Sequence, residues 1–345
     1  MEHKYKQDYE YKKKNKYKKA YEYKKKYNQN HKHTIRIKCS LLLACLLIFL
    51  SGCGSGNTGK KTENRYVVGV VTKSGTSEFW MQTNAGMEDA AAKYDMDIIS
   101  MAPDSELDRE VQEKQVQKLM ERNVDVLAIA PIDSYHMPQY MEEIRDKNIP
   151  VVSFDTEFDN SEFYYIGIDN KTAGYNLAKT LAKQLGHKGN VGIVAGDLNQ
   201  QAHKDRVEGF KEYMESEKDI HIEFIESGYA NLQMSEQKVR DLMKKHPKIN
   251  GIMATSAVTA MGLVDELKGN NIKIATFDEQ EDSLEAVKKG QISALAAQSG
   301  YKIGYETIRY IQKLRNGEKV DKKCYLDLDI LTKENVEEYR RAYED

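Results

Sequence analysis

Cysteine is scarce in the part of the sequence that could fold into a globular domain. The chain has 4 cysteines among 345 residues, and Cys39, Cys45 and Cys53 lie in or directly after one apolar segment near the start. Cys324 is the only thiol after that segment, which excludes an internal disulfide and a cysteine-rich zinc site in the remainder. We expect Cys324 to be a small buried or half-buried residue without redox chemistry.

The sequence also lacks the patterns that many enzymes and nucleotide-binding proteins require. No nucleophile and general base stand in a recognisable constellation, and strand-end glycines such as Gly192 and Gly196 do not form a Gly-rich loop that opens a helix. His203, His221 and His246 are scattered without a second ligand at metal spacing, so we expect them to be solvent-exposed. The sequence therefore predicts no catalytic residue, no metal and no cofactor.

Charge is distributed unevenly along the chain. The first 60 residues contain 15 Lys and Arg against 4 Asp and Glu, whereas the other 285 contain 37 against 50. Binding to a phosphate backbone needs a basic face, so this acidic body is a poor match for nucleic acid. It suits a soluble domain that handles neutral or cationic small molecules.

Residues 1–33 are rich in Lys and Tyr and have almost no aliphatic side chains. Such a segment cannot bury a core, so we predict a disordered, solvated extension. A nucleic-acid-binding arm is the alternative, because tyrosines interleaved with lysines can stack on bases. We favour the extension and expect no nucleic-acid partner.

Residues 34–53 have the layout of an export signal. Arg36 and Lys38 precede an apolar run at 40–50, which is followed by Ser51, Gly52 and Cys53. The run is shorter than the ~20 apolar residues of a transmembrane helix, and small residues end it, as in secretory signals. LSGC at 50–53 resembles the lipobox of bacterial lipoproteins, which implies lipid transfer to the Cys53 sulfur and cleavage before it. An ordinary signal peptide or a tilted anchor is the alternative; the Gly- and Ser-rich stretch at 54–65 reads as a tether.

The body alternates short β-branched runs with helical stretches. Strands are predicted at 66–71, 97–101, 126–129 and 151–154, with helices at 78–94, 106–122 and 135–147 between them. The pattern then restarts, with strands at 164–167, 190–195, 220–225, 251–254 and 272–277 and helices at 172–184, 204–216, 234–245, 258–267 and 283–289. This alternation is typical of parallel strands with crossover helices. Because one doubly wound unit stops growing at ~150 residues, we predict an α/β fold of two doubly wound parallel-sheet lobes with ligands bound beyond the strand carboxyl ends.

Several segments of the body resemble the ribose-type periplasmic sugar-binding proteins of ABC importers (type I periplasmic binding proteins). The matching segments, which occur in the family's order from about Tyr66 to Asn335, are GTSEFW at 75–80, IAPID at 129–133, IPVVSFD at 149–155 with IGIDN at 166–170, DRVEGF at 205–210, ATFD at 275–278, AAQ at 296–298 and DILTKEN at 329–335. The resemblance implies lobe 1 at 66–168 plus 299–326 and lobe 2 at 169–298 plus 327–345. Three crossings of the chain between the lobes would form a hinge, and ligand binding would close the lobes about it.

The resemblance also points to individual ligand contacts. Phe79 and Trp80 stand where the family places aromatic rings against a sugar, since a flat ring covers the apolar face and leaves the rim to polar groups. Asp155 and Asp278 each follow a strand that ends in an aromatic residue, and a carboxylate accepts two hydroxyl donors; a helix cap or turn is the alternative. The remaining candidates are polar positions of the family's site: Ser77, Lys204, Ser256 and Gln298. A surface position at a helix start is the alternative for Ser77 and Lys204, and a solvated hinge residue is the alternative for Gln298.

Two departures from the family bear on the ligand. The Asp-Arg that follows the fourth strand in the family is Asp155-Thr156 here, and an Asn-Asp in the second lobe is replaced by Ser256-Ala257. An Arg fork and an Asn present fixed sets of donors that Thr and Ser cannot reproduce. The solute could therefore differ from a simple pentose or hexose.

The sequence thus predicts a monomeric, non-enzymatic receptor for a sugar-like solute. The lipid on Cys53 would hold it on the outer face of the cytoplasmic membrane, as its only membrane contact, close to the ABC permease subunits. A ligand-sensing lipoprotein that docks on a histidine kinase or chemoreceptor is the alternative. A transcription regulator of the same fold would need a helix-turn-helix before Tyr66, where the lipobox stands instead.

Overall fold

The computed structural model describes residues 65–136, 140–159 and 163–344. The extension, export signal, lipidated Cys53 and tether predicted from the sequence lie outside these residues. Within them, residues Tyr66–Glu337 form one compact unit. Among the described residues, no helix combines the length and apolar character that a membrane crossing requires.

The first of two sheets contains six strands in the order β11-β5-β4-β3-β1-β2, and every neighbouring pair is parallel. Its buried strands are continuous apolar runs, as expected of a parallel sheet covered on both faces. The strands are β1 (Tyr66–Val71), β2 (Met96–Met101), β3 (Val126–Ile129), β4 (Val151–Phe154), β5 (Tyr164–Gly167) and β11 (Lys323–Tyr325).

The second sheet repeats this plan with six strands in the order β12-β10-β9-β8-β6-β7. Its pairs are parallel except β10 with β12, which is antiparallel. The strands are β6 (Lys188–Ala195), β7 (Asp219–Ser227), β8 (Ile249–Ala254), β9 (Lys273–Phe277), β10 (Ala294–Ala297) and β12 (Asp329–Leu331).

Helices connect the strands and end the described chain. In chain order they are α1 (Glu78–Tyr94), α2 (Arg109–Glu121), α3 (Tyr140–Asp146), α4 (Asn170–Gln184), α5 (Gln201–Met214), α6 (Leu232–Lys245), α7 (Ala257–Glu266), α8 (Glu281–Lys289), α9 (Gly300–Arg315) and α10 (Val336–Glu344). We call the first sheet with its helices lobe 1 and the second sheet with its helices lobe 2.

Alternate residues of the first sheet enter different cores, because neighbouring side chains of a strand point to opposite faces. Val68 and Val70 pack against α1 and α9, whereas Val71 packs with residues of α2 and α3. Cys324 is half-buried against the first of these cores, as predicted. Both faces of the sheet are therefore covered, and the predicted α/β fold of two doubly wound lobes is confirmed.

Helix ends differ from the predictions where side chains bond the backbone. Residues 135 and 136, where the sequence predicts the start of a helix, are not helical, because Asp133 Oδ1 accepts hydrogen bonds from the amides of Tyr135 and His136. The chain passes between the sheets three times, after β5, β10 and β11.

Candidate functional site

A cavity lies where the carboxyl ends of the strands of both lobes meet. Six residues predicted from the sequence line it: Ser77, Phe79, Trp80, Asp155, Ser256 and Asp278. Five further polar residues that the sequence analysis did not select line it as well: Lys73, Glu106, His203, Arg206 and Gln280. Lobe 1 and lobe 2 each contribute to both sets.

An aromatic wall in lobe 1 forms one side of this cavity. Phe79 and Trp80 begin α1 and pack edge to face with ring centroids 5.0 Å apart, and Trp80 also meets Phe154 at 6.2 Å. Both side chains belong to the lobe 1 core and are 6% and 2% exposed. The indole Nε1 of Trp80 donates to Glu106 Oε1 at 3.0 Å. The wall is therefore rigid, and the indole N–H of Trp80 already has a hydrogen-bond partner.

The negative charge of Asp155, directly after β4, is balanced by a cation inside the protein. Its Oδ2 lies 2.8 Å from Lys73 Nζ and accepts the Thr156 hydroxyl at 3.0 Å, while Oδ1 accepts Gln298 Nε2 at 2.9 Å. Burial alone would raise the pKa of Asp155, but the Lys73 ammonium and the Arg206 guanidinium outweigh it and lower that pKa. Position 156 lacks the family's arginine, and Lys73 from the end of β1 provides a cation at this carboxylate.

Asp278, at the end of β9, is in a different electrostatic environment. Its Oδ2 accepts the Ala257 amide at 3.2 Å, and its Oδ1 lies 3.9 Å from Arg206 Nη1. Burial and the nearby carboxylates of Asp155 and Glu106 raise the pKa of Asp278 to about 6, against the lowering effect of Arg206.

Arg206 of α5 is a buried anchor between the site and the lobe 2 core. Its guanidinium stacks 4.3 Å from the Phe277 ring centroid, donates through Nε to Asn170 Oδ1 at 2.8 Å and through Nη1 to the Thr255 carbonyl at 2.7 Å. Its Nη2 donates to Gln298 Oε1. Gln298 thus links Arg206 to Asp155 behind the cavity and is not among the lining residues.

Ser256 and Lys204 have structural partners. Ser256 caps α7: its hydroxyl accepts the Thr259 amide at 3.4 Å while it lines the cavity. Lys204 is not among the lining residues; its Nζ lies 4.8 Å from the ring centroid of Tyr135 in lobe 1. Lys204 therefore connects the lobes beside the cavity.

The prediction that His203 is solvent-exposed is wrong. Its side chain is 5% exposed, and Nδ1 shares a 2.8 Å hydrogen bond with Thr255 Oγ1. Burial and the positive charges of Arg206 and Lys73 hold the pKa of His203 well below its usual range, so the ring is neutral. His221 is exposed and His246 is half-buried. No group of three His, Cys, Asp or Glu residues in the described chain could hold a metal ion.

This arrangement can bind a small polar molecule that presents hydroxyl or amine donors. The aromatic wall can cover the apolar C–H groups of such a molecule, and buried carboxylates on the two lobes can accept its hydrogen bonds. Such a cavity shared by two lobes also couples occupancy to lobe closure.

The comparisons with known proteins agree with this geometry. The sequence profile of the periplasmic binding protein domain matches residues 68–319. The ribose import binding protein of Bacillus subtilis is 25% identical over 279 residues, which are 80% of this chain and 90% of that protein.

Two solved structures extend the likeness to three dimensions. GanP, a glucose-galactose binding protein from Geobacillus stearothermophilus, is 25% identical with a TM-score of 0.74, covering 79% of this chain and 99% of that one. A chain of the XylFII–LytSN complex is 27% identical with a TM-score of 0.71, covering 78% and 98%. This chain belongs to the ribose-type family of periplasmic binding proteins.

Proposed function

We propose that this protein is the solute receptor of an ABC importer and binds a sugar-like molecule in the cavity between its lobes. The observation that carries the proposal is the cavity itself, with Trp80 and Glu106 from lobe 1 opposite Asp278 and Ser256 from lobe 2. A solute that bridges these groups stabilises the closed arrangement, which a permease can distinguish from an open one.

The names of the relatives support a carbohydrate class. One similar protein is a ribose import binding protein and another a glucose-galactose binding protein. Phe79, Trp80, Ser77, Ser256 and Asp278 are the direct contacts in this proposal. Asp155 also lines the cavity, Gln298 acts from behind it, and Lys204 acts at the lobe edge.

The domain boundaries and the membrane anchor are part of the proposal. The division is 66–168 plus 299–326 for lobe 1 and 169–298 plus 327–345 for lobe 2, in keeping with the three passages of the chain between the sheets. Lipid on Cys53 would hold a monomeric receptor on the outer face of the cytoplasmic membrane. LSGC at 50–53 and the tether behind it support this anchor.

The binding proposal predicts a ligand-dependent rise in melting temperature. The full chain in detergent is heated with each of a panel of sugars, polyols, nucleosides and amino acids, and unfolding is followed by the fluorescence of Trp80, the only tryptophan in the sequence. A binder at 100 times its Kd adds about 2.7 kcal/mol to the free energy of unfolding, so a sugar or polyol should raise Tm by several degrees. If only amino acids raised Tm, the carbohydrate class would be wrong.

The anchor proposal predicts a lipid-modified N-terminal cysteine. Intact-mass measurement of protein extracted from membranes should give a chain that begins at Cys53 and carries acyl groups. Cys53→Ser should remove the lipid mass and leave the uncleaved precursor, with Cys45→Ser as the matched control that changes neither. A mature chain that begins elsewhere would contradict the anchor.

A sensor role is the second candidate, favoured by the likeness to a chain of the XylFII–LytSN complex. Deletion of the gene separates the two roles through uptake of the radiolabelled solute that the thermal screen identifies. Loss of uptake supports the importer subunit. Normal uptake together with loss of the solute's transcriptional response supports the sensor.

A further inference from the structure

We infer that the cavity selects a solute carrying a protonated amine, such as an amino sugar or an amino polyol, and that Asp278 and Glu106 hold its ammonium group. The inference rests on the proposed solute-binding function and names the chemical class within it. It follows from the charges that line the cavity and from the hydrogen bonds those groups already make.

The lysine in the cavity has no donor left for a ligand. Lys73 Nζ donates to Asp155 Oδ2 at 2.8 Å, to Thr156 Oγ1 at 2.6 Å and to Gln200 Oε1 at 2.7 Å. An ammonium group has three N–H donors, so all three are used inside the protein. Lys73 balances Asp155 and does not attract an anionic solute.

Arg206 uses three of its five N–H donors inside the protein. Its Nε, Nη1 and Nη2 donate to Asn170, to the Thr255 carbonyl and to Gln298. Its distance of 3.9 Å from Asp278 Oδ1 exceeds hydrogen-bonding range. The guanidinium thus fixes the site without neutralising Asp278 by direct contact.

The two remaining carboxylates have acceptor capacity, and neither accepts a hydrogen bond from a cation of the described residues. Asp278 is 7% exposed, and its Oδ1 accepts no hydrogen bond from the described residues. Glu106 accepts only neutral donors, the Trp80 indole at 3.0 Å and the Gln200 amide at 3.2 Å, and forms no ion pair within the described chain. One carboxylate comes from each lobe, so a cation between them would join the lobes.

The charge count points the same way. Two cations, Lys73 and Arg206, face three carboxylates, Glu106, Asp155 and Asp278, and His203 adds no charge. A buried charge without a partner is costly, and burial together with its carboxylate neighbours raises the pKa of Asp278. An ammonium group on the solute would supply the missing positive charge and form charge-assisted hydrogen bonds.

Matched ligand pairs test the inference on the full chain in detergent. Isothermal titration at pH 7.5 compares glucose, galactose and mannose with glucosamine, galactosamine and mannosamine, and with their N-acetyl forms, which keep the ring but lose the charge. We expect at least one amino sugar to bind about tenfold or more tightly than its neutral and N-acetyl partners, the gain typical of a hydrogen bond to a charged group.

Two variants locate the ammonium site. Asp278→Asn and Glu106→Gln should each reduce the preference for the amino sugar to less than about threefold, because each removes one negative charge while keeping an acceptor. Asp265→Asn, an exposed change in α7, should leave the preference intact. Glu106→Gln provides the test if Asp278→Asn fails to fold.

The outcomes separate this inference from the function on which it rests. Neutral sugars binding as tightly as the amino sugars would overturn the amine selectivity and leave the sugar receptor standing. The same holds if both variants keep the wild-type preference. Binding of no sugar in either class, with amino acids binding instead, would overturn both.

Discussion

Asp155 and Asp278 occupy equivalent places at the ends of β4 and β9, yet the protein treats their carboxyls differently. Both have left-handed backbone, with φ of 61° and 72°. Asp and Asn adopt this region more readily than other residues with a side chain, which fits their position directly after a strand. A lysine lies 2.8 Å from Asp155, whereas Asp278 lies 3.9 Å from its cation. Burial favours a raised pKa at both carboxyls; the adjacent cations outweigh it at Asp155, whereas at Asp278 the more distant Arg206 does not.

The raised pKa of Asp278 predicts that Asp278→Asn stabilises the ligand-free protein at neutral pH. Between the unfolded pKa of about 3.9 and the folded pKa of about 6 the folded state binds more protons, so stability falls as pH rises through this window. Removing the charge should add about 2–3 kcal/mol to the free energy of unfolding at pH 7.5 and almost nothing at pH 4. Urea unfolding at both pH values measures the difference.

Asp265→Asn is the control for this stability prediction. Asp265 is exposed, so its substitution should change the free energy of unfolding by less than about 0.5 kcal/mol. Equal effects of the two substitutions at pH 7.5 would mean that Asp278 is not destabilised by its surroundings. Loss of amine selectivity with a gain in stability would mark Asp278 as a residue that serves binding at the expense of folding.

Sequence reasoning selected the strand-end aspartates but missed the cations beside them. Lys73 follows a strand whose last four residues are buried, which is a signal that its side chain could be buried as well. Arg206 shares a helix face with Ala202 and Phe210, four residues away on either side, and all three are buried. Single Lys, Arg and His residues are usually exposed, so without their partners in view a buried ion pair could not be assigned.

At the scale of elements, two helix pairs approach so closely that only glycine fits between them. A Cβ at Gly304 of α9 would lie 1.9 Å from the Thr83 carbonyl of α1, and a Cβ at Gly209 of α5 would lie 1.9 Å from the Lys171 carbonyl of α4. Gly174 of α4 would meet the carbonyl of Arg206 at 2.3 Å. The α4–α5 contact therefore sets the position of the backbone that carries Arg206.

Gly174→Ala should accordingly weaken both the fold and the site. The added methyl group must push α5 away from α4, which we expect to cost about 1–3 kcal/mol of unfolding free energy despite the better helix propensity of alanine. Displacement of Arg206 should also raise the Kd for the solute. Urea unfolding and isothermal titration measure the two effects.

Gly75→Ala is the matched glycine control, because its Cβ would meet Ala102 Cβ at 3.5 Å, an ordinary contact. It should change the free energy of unfolding by less than about 0.5 kcal/mol. If Gly174→Ala were equally mild, the close packing of α4 and α5 would not be what positions Arg206.

The elements that the sequence predicted best are those with a long periodic pattern. β1 and α1 have the bounds expected from the sequence, since a β-branched run and a 17-residue helix leave little ambiguity. β11 and β12 were not predicted because each has three residues and lies at a sheet edge. Pairing with β5 and β10 defines them, and those partners are distant in sequence.

At the scale of the whole molecule, backbone and side-chain hydrogen bonds join the lobes directly beside the cavity. The Ser134 amide donates to the Asn199 carbonyl at 2.9 Å, and the Tyr135 hydroxyl donates to Gln201 Oε1 at 2.6 Å. Lys73 and Gln200 add a third bond across the gap. These contacts favour closure without a solute and should lower the free energy that a solute must supply.

Tyr135→Phe should therefore weaken solute binding although Tyr135 is not among the residues that line the cavity. Loss of one exposed hydrogen bond reduces the closed population, and we expect a Kd about two- to fivefold higher. Small-angle scattering of the ligand-free variant should give a larger radius of gyration than the wild type. Tyr325→Phe is the control, because Tyr325 packs on Tyr165 within lobe 1 at 6.1 Å; an equal rise in Kd there would contradict the closure argument.

The burial of Lys73 also determines how this lysine-rich chain can be handled chemically. Amine-reactive dyes and coupling reagents need a deprotonated, accessible nitrogen, and Lys73 is 2% exposed and held in an ion pair. Labelling of surface lysines should therefore spare the cavity. Lys204 is partly exposed beside the gap, and acylation there would remove its charge from the Tyr135 ring. Immobilisation through amines thus risks altering the response of the receptor at Lys204 rather than at its binding cavity.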